Sequence, residues 1–299
     1  MEVFLTGATG YIGSAVAEVL QKSGHKVIGL ARSQEKARQL ESRGVKAHLG
    51  DLLKPDTIVE GARAAEAVIH TANTGDANAA QADTAVTLAI LNALEGTLKP
   101  FIYTSGVWVV GSTGDNIADE RTPANPPRLV AHRAGLEQEM LNAKDHGVRS
   151  VVIRPAVVYG QGRGLLAMFV QSARELGAAR YVGDGQARWA FVDVDDLAQL
   201  YALALAKAPA GSLYMAADGP SYRVRELAET ASAAAGANGE TQAWPLDEAR
   251  KTLGPFADAL VLDQQISGEK ARRELGWSPH CVPVLDELKT RSYARAAKA

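Results

Sequence analysis

The eight residues Thr6-Gly7-Ala8-Thr9-Gly10-Tyr11-Ile12-Gly13 constrain this chain more than any others. They follow directly on a short apolar run, Val3 to Thr6. They open onto a segment in which Ile12, Val16, Val19 and Leu20 share one helical face until Gly24 stops it. Strand, glycine turn and helix in that order make a cradle for a pyrophosphate. Gly7 permits a tight turn, Gly10 lets the backbone approach a ligand, and Gly13 lets the helix lie against the strand. The first helical amides then face the anion. The spacing is glycine-x-x-glycine-x-x-glycine, one residue longer than the general dinucleotide fingerprint. The turn therefore predicts a dinucleotide-binding α/β fold.

The rest of the first half keeps the matching rhythm of β-branched runs and helical patterns. Lys26 to Ala31 reads as a second strand, with Ser33 placed to cap a helix running through Ser42. Val45 to Gly50 reads as a third, before a short helix with Pro55 near its start. Ala67 to Ala72 is the fourth, followed by an alanine-rich helix around Asn78 to Glu95. Pro100 to Ser105 is the fifth, then a helix over Arg128 to Asp145 leads to the sixth, Ser150 to Ile153. After Gly160 the pattern changes. A helix near Leu165 to Glu175 is followed by the apolar stretch Phe191 to Leu205, which Pro209 and Gly211 end, and by a last strand, Leu213 to Ala217. The remainder is mostly helical. The predicted architecture is a Rossmann-type doubly wound parallel sheet of about seven strands with a small, mostly helical C-terminal lobe. Residues 1–160, with 187–217 returning to them, form the nucleotide-binding domain; 161–186 and 218–299 form the smaller, substrate-side lobe.

Charge and composition exclude several function classes. A net charge of −2 without a basic block gives no attraction to nucleic acid or to an anionic membrane surface. No apolar run reaches the roughly 18 to 20 residues of a membrane span. The single cysteine, Cys281, rules out an internal disulfide and fits a reducing compartment. The chain runs straight into a strand without a basic, apolar leader, so a cytoplasmic location is expected.

The end of the second strand bears on the cofactor. An acid there would hold a ribose 2′-hydroxyl, whereas arginine favours a 2′-phosphate. The sequence is Leu30-Ala31-Arg32-Ser33, with Lys36 one helical turn on and no acid before Glu35. Arg32 offers a planar fork to a phosphate and Ser33 a hydroxyl. NADP(H) is expected over NAD(H).

These features, with others along nearly the whole length, resemble the extended short-chain dehydrogenase/reductases, the group that includes nucleotide-sugar epimerases and dihydroflavonol reductases. Gly50-Asp51-Leu52 is similar to the family's adenine-contacting segment, and Ala67 to Asn73 (AVIHTAN) to the loop along the cofactor. FIYTSGVWVVG and RPAVVYG resemble the strand-five and strand-six signatures, FVDVDDLA that of the following helix, and LGWSP completes the set. The resemblance implies cofactor contacts from Gly7, Thr9, Gly10, Tyr11, Ile12, Gly13, Arg32, Ser33, Asp51, Leu52, Thr71, Ala72, Asn73, Thr104, Arg133 and Pro155. It also implies a small-molecule substrate. In this family the helices after strands four and five often pair across a dimer, so a homodimer is possible here.

The family's chemistry uses a serine or threonine, a tyrosine, and a lysine four residues after the tyrosine. Matched residue by residue, those positions here hold Gly106, Leu129 and Arg133. Glycine and leucine carry no ionisable group, and arginine stays protonated at neutral pH. No tyrosine lies between Tyr103 and Tyr159, so a shifted alignment does not restore one. The chain thus resembles the atypical branch, which keeps the fold without the usual Ser-Tyr-Lys triad. Substitute proton donors are His132, whose type titrates near neutral pH, and Tyr159; water or the substrate are the alternatives. Asp193, Asp195 and Asp196 read as carboxylates at a helix N-terminus. The six histidines show no metal spacing, and no metal is expected.

Nucleotide-sugar enzymes of the family carry a diphosphate-clasping arginine at a place that is Trp189 here, with Arg188 one residue off. On a strand that offset turns the arginine to the other face. The expected substrate pocket is therefore Gly106, Trp108, Leu129 and Trp189, suited to a flatter or more apolar ligand than a nucleotide-sugar. Two functions are compatible with this reading. One is an NADP-binding oxidoreductase or epimerase-like enzyme acting on an unidentified small molecule. The other is a non-catalytic NADP-binding sensor that reports cofactor state to a partner.

Overall fold

Seven short runs assemble into one parallel sheet in the computed structural model, which describes residues 1–290, 292 and 293. The strands are β1 (Glu2–Thr6), β2 (Lys26–Ala31), β3 (Lys46–Leu49), β4 (Ala67–His70), β5 (Pro100–Thr104), β6 (Arg149–Pro155) and β7 (Ser212–Ala216). Their order is β7-β6-β5-β4-β1-β2-β3, and every pairing is parallel. Helices α1 (Tyr11–Lys22), α2 (Gln34–Glu41), α3 (Asp56–Ala64), α4 (Ala79–Leu94) and α5 (His132–Asn142) return the chain between successive strands. A parallel sheet covered on both faces has no solvent side, so its strands are apolar throughout. Val3, Phe4, Leu5, Val68, Ile69, Phe101, Ile102, Val151, Val152 and Ile153 are all fully buried. The strand order reverses between β1 and β4, and the crevice outside their carboxyl ends is where such sheets bind ligands.

Past β6 the chain forms α6 (Leu165–Leu176), α7 (Val194–Lys207), which packs on α1, and α8 (Val224–Ala234). Four shorter helices follow, Leu246–Leu253, Phe256–Leu260, Glu269–Leu275 and Val284–Thr290. The helical C-terminal region is as expected, but four two-stranded sheets accompany it that sequence periodicity misses. Val157–Tyr159 pairs with Phe191–Asp193, and Ala179–Val182 with Thr241–Trp244. Arg188–Trp189 pairs with Tyr222–Arg223, and Ile117–Ala118 with Gln265–Ile266. Runs of two to four residues are too short for a period-2 signal. These pieces enclose a second buried cluster around Phe169, Tyr181, Trp189, Phe191 and Leu227.

The helix expected over Arg128 to Asp145 is broken into a 3-10 turn (Arg128–Val130), α5 and a second 3-10 turn (Ala143–His146). Pro127 in extended conformation fixes the start, and Gly147 at φ 70° closes the end. No helix among the described residues is long and apolar enough to cross a membrane.

Candidate cofactor cleft and reaction cavity

The glycine turn sits at the sheet's reversal point and leaves no room for side chains. Gly7 has φ +78°, and a Cβ there would lie 2.6 Å from Thr71 Oγ1. A Cβ on Gly13 would fall 2.1 Å from the Gly7 carbonyl oxygen. That oxygen accepts the Gly10 amide at 2.7 Å, and Thr71 Oγ1 donates to the Thr6 carbonyl at 2.8 Å. The turn is thus pinned to β4 so that the first turn of α1 faces outward.

A cleft of about 520 Å³ opens over it, walled by Gly7, Thr9 to Gly13, Thr71, Ala72 and Asn73. Asp51 and Leu52 close one end, beside Arg32 and Lys36. Arg32 is exposed and, among the described residues, has no ion-pair partner. Ser33 is not on the wall. Its hydroxyl caps α2 as expected, accepting the Lys36 amide at 3.2 Å, which leaves its own proton free to donate.

Tyr11 and Ile12 are shared with a second cavity of about 320 Å³. Its wall brings together four of the expected residues, Gly106, Trp108, Arg133 and Pro155, with Ser105, Val130 and Leu165. The space that a side chain at position 106 would take is bounded by the Arg133 guanidinium, whose Nη1 would stand 3.4 Å from a Cβ there. Nη1 donates to the Ser105 carbonyl at 2.9 Å. The Ser105 hydroxyl is buried and, among the described residues, has no hydrogen-bond partner. Only Tyr11 and Arg133 are ionisable on this wall. Burial pushes the Tyr11 phenol far above its usual range, and it donates to the Gly160 carbonyl at 2.7 Å.

The other expected residues lie elsewhere. Leu129 is half-buried in the 3-10 turn, and it is Val130 that reaches the wall. Thr104 turns its hydroxyl to Tyr201, 2.6 Å away. Tyr159 is buried, its phenol directed to Asp218 Oδ2 at 3.0 Å and the Val282 carbonyl at 2.9 Å. Trp189 belongs to a separate apolar cavity and stacks on Phe169. Arg188, its neighbour, points the other way as the offset requires, with Nε and Nη2 at 2.9 and 2.7 Å from Asp263 and Nη2 at 3.3 Å from Asp115.

His132 is not on the cavity wall either, because a residue that the sequence did not signal holds it. Asp83, on α4, is 5% exposed and gathers three hydrogen-bond donors and one arginine counter-charge. His70 Nε2 lies 3.3 Å from Oδ1; the Tyr103 hydroxyl, His132 Nε2 and Arg133 Nε lie 2.8, 3.1 and 3.5 Å from Oδ2. Burial alone would raise the Asp83 carboxyl, but hydrogen bonds from His132 and His70 and the Arg133 charge outweigh it and hold it well below the usual range. A carboxylate only accepts, which assigns the His70 proton to Nε2 and leaves Nδ1 to accept from the Thr6 hydroxyl at 2.7 Å. One connected network therefore runs from the glycine turn through Asp83 to Arg133. The available hint was Asp83 itself, the one acid in AAQADTAVTLAILNAL.

The acids near α7 behave in two ways. Asp193 caps the helix as expected, accepting the Asp195 amide at 2.7 Å. Asp196 instead accepts the amides of His280 and Cys281 at 3.0 and 2.8 Å, tying the C-terminal loop to the helix. Asp196, His280 and Cys281 have potential ligand atoms within 4.8 Å of one another, a grouping no sequence spacing announced. Asp218 accepts the Asp193 amide at 2.8 Å and the Tyr159 hydroxyl, and burial pushes its carboxyl up to about 6 from 3.8. A raised carboxyl favours the neutral form, so its stabilising contribution is full below about pH 4 and is lost as pH rises through 6. The shift of about 2 units corresponds to roughly 3 kcal/mol. Asp218→Asn keeps one acceptor and removes the titration. It is expected to melt above the parent at pH 8 and level with it at pH 4; a difference that ignores pH would show that Asp218 is not the group responsible.

Residues 3–217 match the model of the NAD dependent epimerase/dehydratase family. An uncharacterized protein of Saccharomyces cerevisiae is 32% identical, with 97% of this chain and 98% of that protein covered. A 2-alkyl-3-oxoalkanoate reductase of Stenotrophomonas maltophilia is 27% identical over 99% of this chain and 100% of its own. Among solved structures, the UDP-glucose 4-epimerase of Thermus thermophilus in complex with NAD superposes with a TM-score of 0.82 at 22% identity, covering 99% of this chain and 100% of that one.

Proposed function

The chain belongs to the NAD dependent epimerase/dehydratase family, and on that premise we propose that it is an NADP(H)-dependent oxidoreductase that reduces a small carbonyl compound without a catalytic tyrosine. One observation carries the reading: two adjoining cavities that share Tyr11 and Ile12, one lined by Arg32 and Lys36 and the other by Ser105 and Arg133. The glycine turn holds the pyrophosphate, and Asp51 and Leu52 border the adenine. Arg32, with no acid at the end of β2, takes the 2′-phosphate. Bound there, the reduced nicotinamide supplies the hydride to the carbonyl carbon.

The protein's part is to stabilise the oxygen as it gains charge. Arg133 presents a fixed positive guanidinium, and the Ser105 hydroxyl is a donor with no competing partner among the described residues. The proton that completes the alcohol comes from water, since no group on this wall titrates near neutral pH. The similarity to a reductase of 2-alkyl-3-oxoalkanoates supports carbonyl reduction. The open space beside Gly106 supports catalysis over a purely sensing role, in which Trp108 or Trp189 would cover that face.

Calorimetric titration of NADPH and NADH tests the cofactor. A charge-assisted contact contributes about 1.5–3 kcal/mol, so Arg32→Ala is expected to weaken NADPH about 10- to 100-fold and leave NADH unchanged. Equal losses for both, or none for either, would remove the NADP preference.

A further inference from the structure

Beyond Leu165 lies a cavity of about 310 Å³ that the cofactor reading does not use. Leu165, the first residue of α6, is on its wall and also on that of the reaction cavity, so the two are neighbours. Phe169, Trp189, Val224, Leu253 and Leu260 give it an apolar side. Trp189 and Phe169 stack with ring centres 5.8 Å apart at 14°. At the mouth α6 exposes Met168 (40%) and Leu176 (51%), two large apolar side chains on the helix that walls the cavity.

Trp189 is 4% exposed, yet its indole Nε1 has no acceptor among the described residues. Buried indole N–H groups ordinarily find one. The lining also carries Gln171, Ser172, Glu175 and Arg180, so the wall is apolar around Phe169 and Trp189 and polar elsewhere. The one arginine beside Trp189 in sequence is committed to Asp263 and Asp115 outside it, and the arginine on the wall, Arg180, donates to Gln242 and lies over the Trp244 ring.

We propose that this cavity binds the apolar tail of the substrate, a straight-chain carbonyl compound carrying one further oxygen that accepts the Trp189 N–H. The inference rests on the oxidoreductase reading and adds the class of molecule reduced. An apolar cavity of about 150 Å³ accommodates benzene, so twice that volume takes a chain on the order of ten carbons.

Ethyl 3-oxoalkanoates with acyl chains from four to twelve carbons, with NADPH, are the probes. Each buried methylene contributes about 0.8 kcal/mol, so KM is expected to fall about fourfold per added carbon until the cavity is full, then level off. Leu253→Phe, which narrows the cavity, should flatten that dependence while leaving NADPH affinity and the KM of the shortest ester unchanged. Octan-1-ol titrated calorimetrically into the NADPH complex reads the cavity without turnover, and its binding should weaken in Leu253→Phe and in Trp189→Phe. NADPH binding together with a flat KM series and no octanol heat would overturn the tail site alone. Failure to bind NADPH would defeat the oxidoreductase reading and this inference with it.

Discussion

Asp83→Ala is expected to lose about 3–5 kcal/mol of folding free energy, read from urea denaturation of the apo-protein. The carboxylate is buried, is the shared acceptor for His70, Tyr103 and His132, and is the counter-charge to Arg133. Alanine would leave the guanidinium without its counter-charge and two ring N–H groups and a phenol without partners. Each such buried donor costs about 1–3 kcal/mol, partly recovered by relaxation and water entry. Asp83→Asn, which keeps one acceptor oxygen, should fall between parent and alanine variant. The pH dependence gives an independent reading. Because the folded carboxyl is depressed, its contribution is present above its usual value of 3.8 and is lost as pH falls through the lower, folded value. The parent should therefore weaken steeply below about pH 4, and Asp83→Ala should show a shallower decline. A loss under about 1 kcal/mol would mean that water satisfies the cluster and that the network does not hold Arg133 in place.

What was legible in the sequence follows from how local each feature is. The turn Thr6 to Gly13 announces itself because its strand, glycines and helix are contiguous, and the structure bears out the fold it implies. The opposite facing of Arg188 and Trp189 is also local, since strand geometry alternates every residue. Asp83 is different: its partners lie 13, 20 and 49 positions away for His70, Tyr103 and His132, and only the packing of α4 against β4, β5 and α5 joins them. Thr104 has a suitable side chain at a suitable position, yet Tyr201 competes for it. The displacement of Leu129 by Val130 depends on a 3-10 turn after Pro127, a register change that helix periodicity does not foresee. Contacts across the fold, and the rivalry for each hydroxyl, are what the linear pattern leaves out.

Arg133→Met is expected to lower kcat about 10²- to 10³-fold on whichever carbonyl substrate the enzyme reduces, the magnitude typical of removing one donor to a developing oxyanion. Methionine preserves much of the length without charge or donors. The loss should appear in kcat rather than in substrate KM, because the guanidinium interacts most strongly with the charge that develops during reduction. Arg133→Lys should recover part of it, since lysine restores the charge without the planar fork that reaches both Asp83 and the Ser105 carbonyl. The companion pH profile separates this mechanism from a histidine one. With Tyr11 far above its usual range and Arg133 always charged, kcat should be flat from about pH 6 to 9. A limb within that range that disappears in His132→Gln would show instead that His132 leaves Asp83 during turnover to deliver the proton. In that case Arg133 would be a positioning residue, and its replacement by lysine would restore nearly full rate.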